Sequence, residues 1–261
     1  MPHRHEDRPR IGITAGLIHP DPNRNLWRPK TLFAVEAEML DYVHRAGAAP
    51  ILIPDLKEGA LKDFLQDLDG IILQGGADIS PKHYGEEPIL DGRWPGDEIR
   101  DDYELKVMRE VMKLELPVFG ICRGFQLMCV FFGSSLYQDI ATQRPGALMH
   151  RDPDPYDRLN HQVVLVQDSL LEEWYAGTEI RQVNSVHHQA VRDLGEELEP
   201  WAEASDGIVE AVGWKGAEPG KVFAVQWHPE WGHNVPVPVM DGDHLINKWM
   251  EIVRREITTR R

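Results

Sequence analysis

Apolar residues along this chain fall into short runs that alternate with helically spaced sets. Arg10 to Ala15 reads as a first strand. Thr31 to Arg45 carries Leu32, Val35, Met39, Leu40 and Val43 at helical spacing and ends at Gly47, which predicts a helix. Pro50–Ile53 is a short strand, and Leu61, Phe64, Leu65 and Leu68 form a further helical face. Gly70–Leu73 is a third strand that stops at Gly75 and Gly76. A Gly/Pro-rich polar loop over 77–96 precedes a helix over Glu98–Leu114, with Asp101 as a candidate N-cap and Glu104 as its capping-box partner. Pro117–Ile121 is a fourth strand, followed directly by a helix over Phe125–Phe132. The second half changes character: His161–Val166, Arg181–Val183, Ile208–Val212 and Val222–Trp227 read as strands with few helices between them. A helix from about His244 to Arg255 closes the chain. Strands alternating with helices imply βαβ crossovers and a parallel sheet, so the pattern predicts an α/β fold.

Composition narrows the function. Of 261 residues, 42% are hydrophobic and 27% charged, an ordinary globular balance. With 28 Lys and Arg against 43 Asp and Glu the net charge is −15, which argues against nucleic acid or an anionic membrane as a partner. Two cysteines make no disulfide framework, no stretch is long and apolar enough to span a membrane, and the polar start has no secretory core. A cytoplasmic protein is expected, with residues 1–9 a disordered tail and 10–261 one domain.

The candidate chemistry sits at Pro117-Val-Phe-Gly-Ile-Cys-Arg-Gly-Phe-Gln126. An apolar strand, Gly-x-Cys-x-Gly and an apolar helix form the thiol version of the strand–turn–helix elbow that carries catalytic serines. Gly120 and Gly124 relieve crowding around a sharp turn, and a helix N-terminus favours the thiolate of Cys122. Cys129 lacks that setting and reads as core. A thiol nucleophile needs a base and the base an orienting group. The stretch Val222-Phe-Ala-Val-Gln-Trp-His-Pro-Glu230 supplies His228 just past a strand end and Glu230 within reach of its ring. His187 and His188 are adjacent and point to opposite faces if extended, so no metal is expected.

The elbow Gly120–Gln126 and the Gln-Trp-His-Pro-Glu segment resemble class I glutamine amidotransferase domains. Three further stretches are similar to the γ-glutamyl-γ-aminobutyrate hydrolase branch (peptidase C26 type): Leu73–Pro81 with Tyr84-Gly85-Glu86, then Arg100-Asp101 with Glu104, and Val183–Gln189. The resemblance runs from about Arg10 to Met250. It implies a flavodoxin-like, doubly wound, mostly parallel sheet with helices on both faces, here with an added β-rich portion in the second half. It implies a Cys122–His228–Glu230 triad and an oxyanion hole from the N–H groups of Gly76 and Arg123. Substrate contacts are implied for Gln126, Asn184, Ser185, His187 and Gln189. The implied reaction is hydrolysis of a small γ-glutamyl amide to glutamate and a free amine, as in polyamine (putrescine) breakdown. No cofactor is implied, and there is room for a homodimer. Two alternatives stand beside it: a glutaminase subunit that feeds ammonia to a partner synthetase, and a binding or chaperone protein with a reactive cysteine. The charge of the 77–100 loop leans toward a cationic amine half, the branch resemblance toward γ-aminobutyrate.

Overall fold

The computed structural model describes residues 8–152, 154, 158–232 and 237–260. In chain order the strands are β1 (Arg10–Thr14), β2 (Gly16–Ile18), β3 (Leu32–Ala34), β4 (Ala49–Ile53), β5 (Gly70–Leu73), β6 (Val118–Ile121), β7 (Ser135–Tyr137), β8 (Asn160–Leu165), β9 (Gln182–Asn184), β10 (Ala190–Asp193), β11 (Leu198–Ala204), β12 (Val209–Trp214) and β13 (Val222–Val225). The helices are α1 (Ala37–Arg45), α2 (Glu58–Gln66), α3 (Glu98–Lys113), α4 (Arg123–Phe131), α5 (Ile140–Gln143), α6 (Leu170–Trp174) and α7 (Gly242–Arg260).

Nine strands form one sheet in the order β4-β1-β5-β6-β13-β12-β11-β8-β9. The pairs from β4 through β13 are parallel, and those from β13 through β9 are antiparallel. This is the expected α/β sheet, with the β-rich second half continuing it as an antiparallel wing. The parallel strands are apolar on both faces because helices cover both. Phe119, Ile121, Phe223 and Val225 pack toward α1 and α7, while Val118, Val222 and Ala224 pack toward α2, α3 and α4. That alternation is the two-residue period of the strand.

Several elements depart from expectation. Leu32–Ala34 is a strand paired with β2, and the helix begins only at Ala37, so the helical spacing of Leu32 and Val35 is accidental. The strand β11 has no counterpart among the expected elements because Leu198-Glu-Pro-Trp-Ala-Glu-Ala has weak strand propensity. Pro200 is accommodated where the β11–β12 register shifts. Residues 1–7 of the expected tail lie outside the described residues, but Pro9 belongs to the fold, its carbonyl accepting from the Ala49 N–H at 2.8 Å. Among the described residues no helix is long and apolar enough to cross a membrane.

Candidate active site

The carboxyl ends of β5, β6 and β13, neighbours in the sheet, deliver Gly75-Gly76, Cys122 and His228 to one place. Ligands of doubly wound sheets gather at such strand ends. Cys122 occupies the turn between β6 and α4 with φ 51° and ψ −103°, a conformation that L residues seldom adopt. The flanking glycines make the turn feasible. A Cβ on Gly124 would lie 2.0 Å from the Leu73 carbonyl oxygen, and one on Gly120 would lie 2.8 Å from Ala224 Cβ and from the Gly124 oxygen. Cys122 is the N-cap residue of α4, beside the helix's unpaired N-terminal amides. The Gln226 amide nitrogen sits 3.7 Å from the sulfur.

His228 Nδ1 lies 2.7 Å from Glu230 Oε1, and both side chains are buried. The short helical turn after Pro229 folds Glu230 back onto the ring. Burial alone would press the His228 imidazole toward its neutral form. The Cys122 thiolate and the Glu230 carboxylate outweigh it and hold the His228 pKa well above the ordinary 6.5. Two further residues fix the ring. Trp231 stacks on it with centroids 3.8 Å apart and planes 3° from parallel, and Trp231 Nε1 donates to Glu36 at 3.0 Å. Gly75 leaves room for it, since a Cβ there would meet His228 Cε1 at 2.7 Å.

The expected oxyanion pair, Gly76 and Arg123, lines the same cavity of about 380 Å³ as Cys122. Arg123 is the first residue of α4, so its N–H has no partner within the helix. Gly76 has φ 140°, and a Cβ there would fall 2.1 Å from Arg100 Nη1. Beneath both lies a buried charge network that corrects the reading of Asp101 and Glu104 as a capping box. The cap of α3 is Asp97, whose side chain accepts from the Arg100 N–H at 3.1 Å. Asp101 pairs with the Arg123 guanidinium, and Glu104 bridges Arg123 and Arg100. Arg100 in turn donates to the Gly75 carbonyl at 2.8 Å. Four buried charges thus tie the oxyanion loop to the elbow helix, a cost that burial imposes and mutual pairing offsets.

The residues expected to touch substrate separate into two groups. Gln126, His187 and Gln189 line the cavity, whereas Asn184 and Ser185 do not. Asn184 brackets the backbone of His228, donating to its carbonyl at 2.7 Å and accepting from its N–H at 2.8 Å. Ser185 Oγ donates to the His150 carbonyl at 2.8 Å. The Gln189 side chain grips Ile79 through that residue's N–H and carbonyl, and the Gln126 amide donates to Gln189 O and Gln226 Oε1. These contacts hold walls in place. The 77–96 loop borders the site: Ala77, Asp78 and Trp94 line the cavity, and His188 Nε2 lies 2.9 Å from both Asp78 oxygens. Arg151, which belongs to no recognisable motif, faces the same cavity. His187 and His188 both line the cavity and have different partners, His188 lying against Asp78 and Asp139. His187, however, meets His150, His161 and Glu210 in a buried donor group that the expectation of no metal did not foresee.

The profile of the Peptidase C26 family matches residues 9–230, and the chain belongs to that family. It is 39% identical to the glutamine amidotransferase-like protein YvdE of Lactococcus lactis over 84% of this chain and 90% of that one. It is 32% identical to the gamma-glutamyl-gamma-aminobutyrate hydrolase PuuD of Escherichia coli over 80% of this chain and 83% of that one. Among solved structures, one described as a GMP synthase protein from Thermoplasma acidophilum superposes with a TM-score of 0.58. It has 19% identity and covers 98% of this chain and all of that one, a likeness of fold. A glutamine amidotransferase from Thermotoga maritima superposes with a TM-score of 0.51 at 17% identity, over 99% of this chain and 86% of that one.

Proposed function

We propose that this member of the Peptidase C26 family is a cysteine-dependent hydrolase of γ-glutamyl amides, and that its preferred amine half ends in a carboxylate, as in γ-glutamyl-γ-aminobutyrate. The observation that carries the reading is the meeting of a strained Cys122 at a helix N-terminus with a buried His228–Glu230 pair. The Cys122 thiolate adds to the γ-carbonyl carbon, and the oxygen takes up the negative charge facing the Gly76 and Arg123 N–H groups. The imidazolium of His228 gives its proton to the departing nitrogen as the C–N bond breaks, leaving a γ-glutamyl thioester. His228, now neutral, takes a proton from water, whose oxygen attacks the thioester. The thiolate departs and glutamate is released. Glu230 keeps the ring oriented and stabilises its charged form.

The amine preference rests on the charges that face the cavity. Three of the acidic loop residues are paired off the cavity lining, Glu86 with Arg192, Asp97 with His19 and Glu98 with Lys82, while Asp78, which lines the cavity, lies against His188. Arg100 is buried under the oxyanion loop, so it does not serve as the substrate clamp. Arg151 faces both the catalytic cavity and the one adjoining it, Arg93 faces the adjoining one, and among the described residues neither forms an ion pair. Cations facing these cavities favour an anionic tail over a cationic polyamine. The name of PuuD supports the same choice, and the branch resemblance of the sequence adds a role in polyamine breakdown.

The test is relative turnover of γ-glutamyl-γ-aminobutyrate, γ-glutamyl-putrescine and glutamine by the purified chain. The γ-aminobutyrate amide is expected to give the highest kcat/KM. A preference for glutamine would instead support a glutaminase subunit, and a preference for the putrescine amide that fades with salt would support the loop-charge argument.

A further inference from the structure

Behind the wall of the cavity that holds Cys122, four side chains converge from four segments. His150 comes from the loop after α5, His161 from β8, His187 from the loop after β9 and Glu210 from β12. All are buried, and one donor atom from each lies within 4.8 Å of every other. Glu210 Oε1 is 3.5 Å from His150 Nδ1, 3.4 Å from His161 Nε2 and 3.5 Å from His187 Nε2. Among the described residues none of these inward atoms has a hydrogen-bond partner, nor has Glu210 Oε2.

The outward nitrogens explain why. His187 Nδ1 lies 2.9 Å from the Gln189 carbonyl, His161 Nδ1 3.2 Å from the Gln162 carbonyl and His150 Nε2 3.0 Å from Asp206 Oδ2. Each of these partners is an acceptor, so each ring spends its N–H outward. In the neutral ring this leaves a lone pair aimed inward. Three lone pairs then face a carboxylate, which is repulsive unless something positive lies between them. Protons are a poor candidate, because a charged N–H···O contact closes to about 2.7–2.9 Å. A metal ion fits better. Ligands about 2.0–2.1 Å from a tetrahedral ion stand about 3.3–3.4 Å apart, close to the spacing of the three rings from Glu210. The outer contacts are the kind that metal-bound histidines keep, above all the Asp206–His150 pair.

We propose that His150, His161, His187 and Glu210 bind a divalent transition-metal ion, zinc by donor set. Four protein ligands in a buried place make a closed, structural centre rather than a catalytic one. Its task is to clamp the antiparallel wing against the active site. His187 sits between Asn184, which brackets His228, and Gln189, which holds Ile79 and Gln126, while the Glu210 carbonyl accepts from the Gln226 N–H at 2.7 Å. A neighbouring cavity of about 430 Å³ lined in part by His150 and His187 offers the entry path.

The test is elemental analysis of the full chain, purified without a metal-affinity step after expression in zinc-supplemented medium, together with melting before and after chelation. About one zinc ion per chain is expected in the wild type and in Cys122→Ala, and at least a tenfold loss of it in Glu210→Gln and His161→Gln. Stripping is expected to lower the wild-type melting temperature by on the order of 10 °C, with recovery on added Zn²⁺. Adding Co²⁺ to stripped wild-type protein should produce visible absorption that saturates at about one equivalent. This last measurement needs no variant to fold. A wild type that carries no metal and melts at one temperature with or without Zn²⁺ would overturn the proposal. So would metal that survives Glu210→Gln or departs with Cys122→Ala.

Discussion

Asn184 offers the sharpest separation between holding the site and touching the substrate. Its amide meets both backbone polar groups of His228, at 2.7 and 2.8 Å, in a buried setting. Asn184→Ala leaves that N–H without a partner, while the carbonyl keeps only the Trp231 N–H at 3.3 Å. The orphaned N–H costs about 1–3 kcal/mol and the carbonyl's lost bond about 0.5–1.5 kcal/mol more, so a loss of about 2–4 kcal/mol is expected. For a domain of this size that lowers the melting temperature by on the order of 5–15 °C. The kinetic effect is expected in kcat. A base displaced by about 1 Å loses roughly 100-fold in rate, while KM should move less than about threefold because the side chain lies off the cavity lining. The assays are thermal melting and steady-state turnover of γ-glutamyl-γ-aminobutyrate. A variant with unchanged melting and kcat but a KM raised tenfold would show that Asn184 grips substrate and would refute this reasoning.

Three further outcomes follow from the same geometry. Gly124→Ala drives a Cβ to 2.0 Å from the Leu73 carbonyl oxygen, so it should cost about 3 kcal/mol or more; Gly59→Ala, in open space on α2, should stabilise by about 0.5–1 kcal/mol, both read from melting. Cys122→Ala removes one of the two negative partners that raise the His228 pKa and leaves Glu230, so the imidazole should titrate at lower pH than in the wild type by NMR; an equal or higher midpoint would contradict the ion pair. Arg151→Met should raise KM for γ-glutamyl-γ-aminobutyrate about tenfold while leaving the putrescine amide nearly unchanged; equal effects on both would remove the charge argument.

What could be read from the sequence follows from how local each cause is. The elbow was legible because its glycines, strand and helix are contiguous, and the structure gives them the crowding that motif requires. His-Pro-Glu was legible because Pro229 turns Glu230 back within two residues. The parallel half was legible through its continuous apolar runs. By contrast, Leu198–Ala204 contains Pro200 and two glutamates and becomes a strand only because β12 and β8 pair with it. Asp101 and Glu104 have the spacing of a capping box, and their pairing with Arg123 depends on a helix that begins after the next strand. Asn184 reaches a backbone 44 residues away, and His150, His161, His187 and Glu210 are scattered over 61 positions. No spacing rule links such residues before the antiparallel wing is assembled. The net charge of the acidic loop says little about the pocket, since Glu86, Asp97 and Glu98 are paired off the cavity lining while Asp78 borders it.

The central claim, covalent catalysis by Cys122 on a γ-glutamyl group, is tested most directly by intact mass analysis of protein quenched during turnover of γ-glutamyl-γ-aminobutyrate. The account predicts an added γ-glutamyl acyl group on the chain, located at Cys122 by peptide mapping, labile to hydroxylamine, and absent from Cys122→Ala, whose turnover should fall below about a thousandth of wild type. Full turnover by Cys122→Ala, or rapid turnover by the wild type with no adduct at any quench time under conditions that slow deacylation, would contradict it.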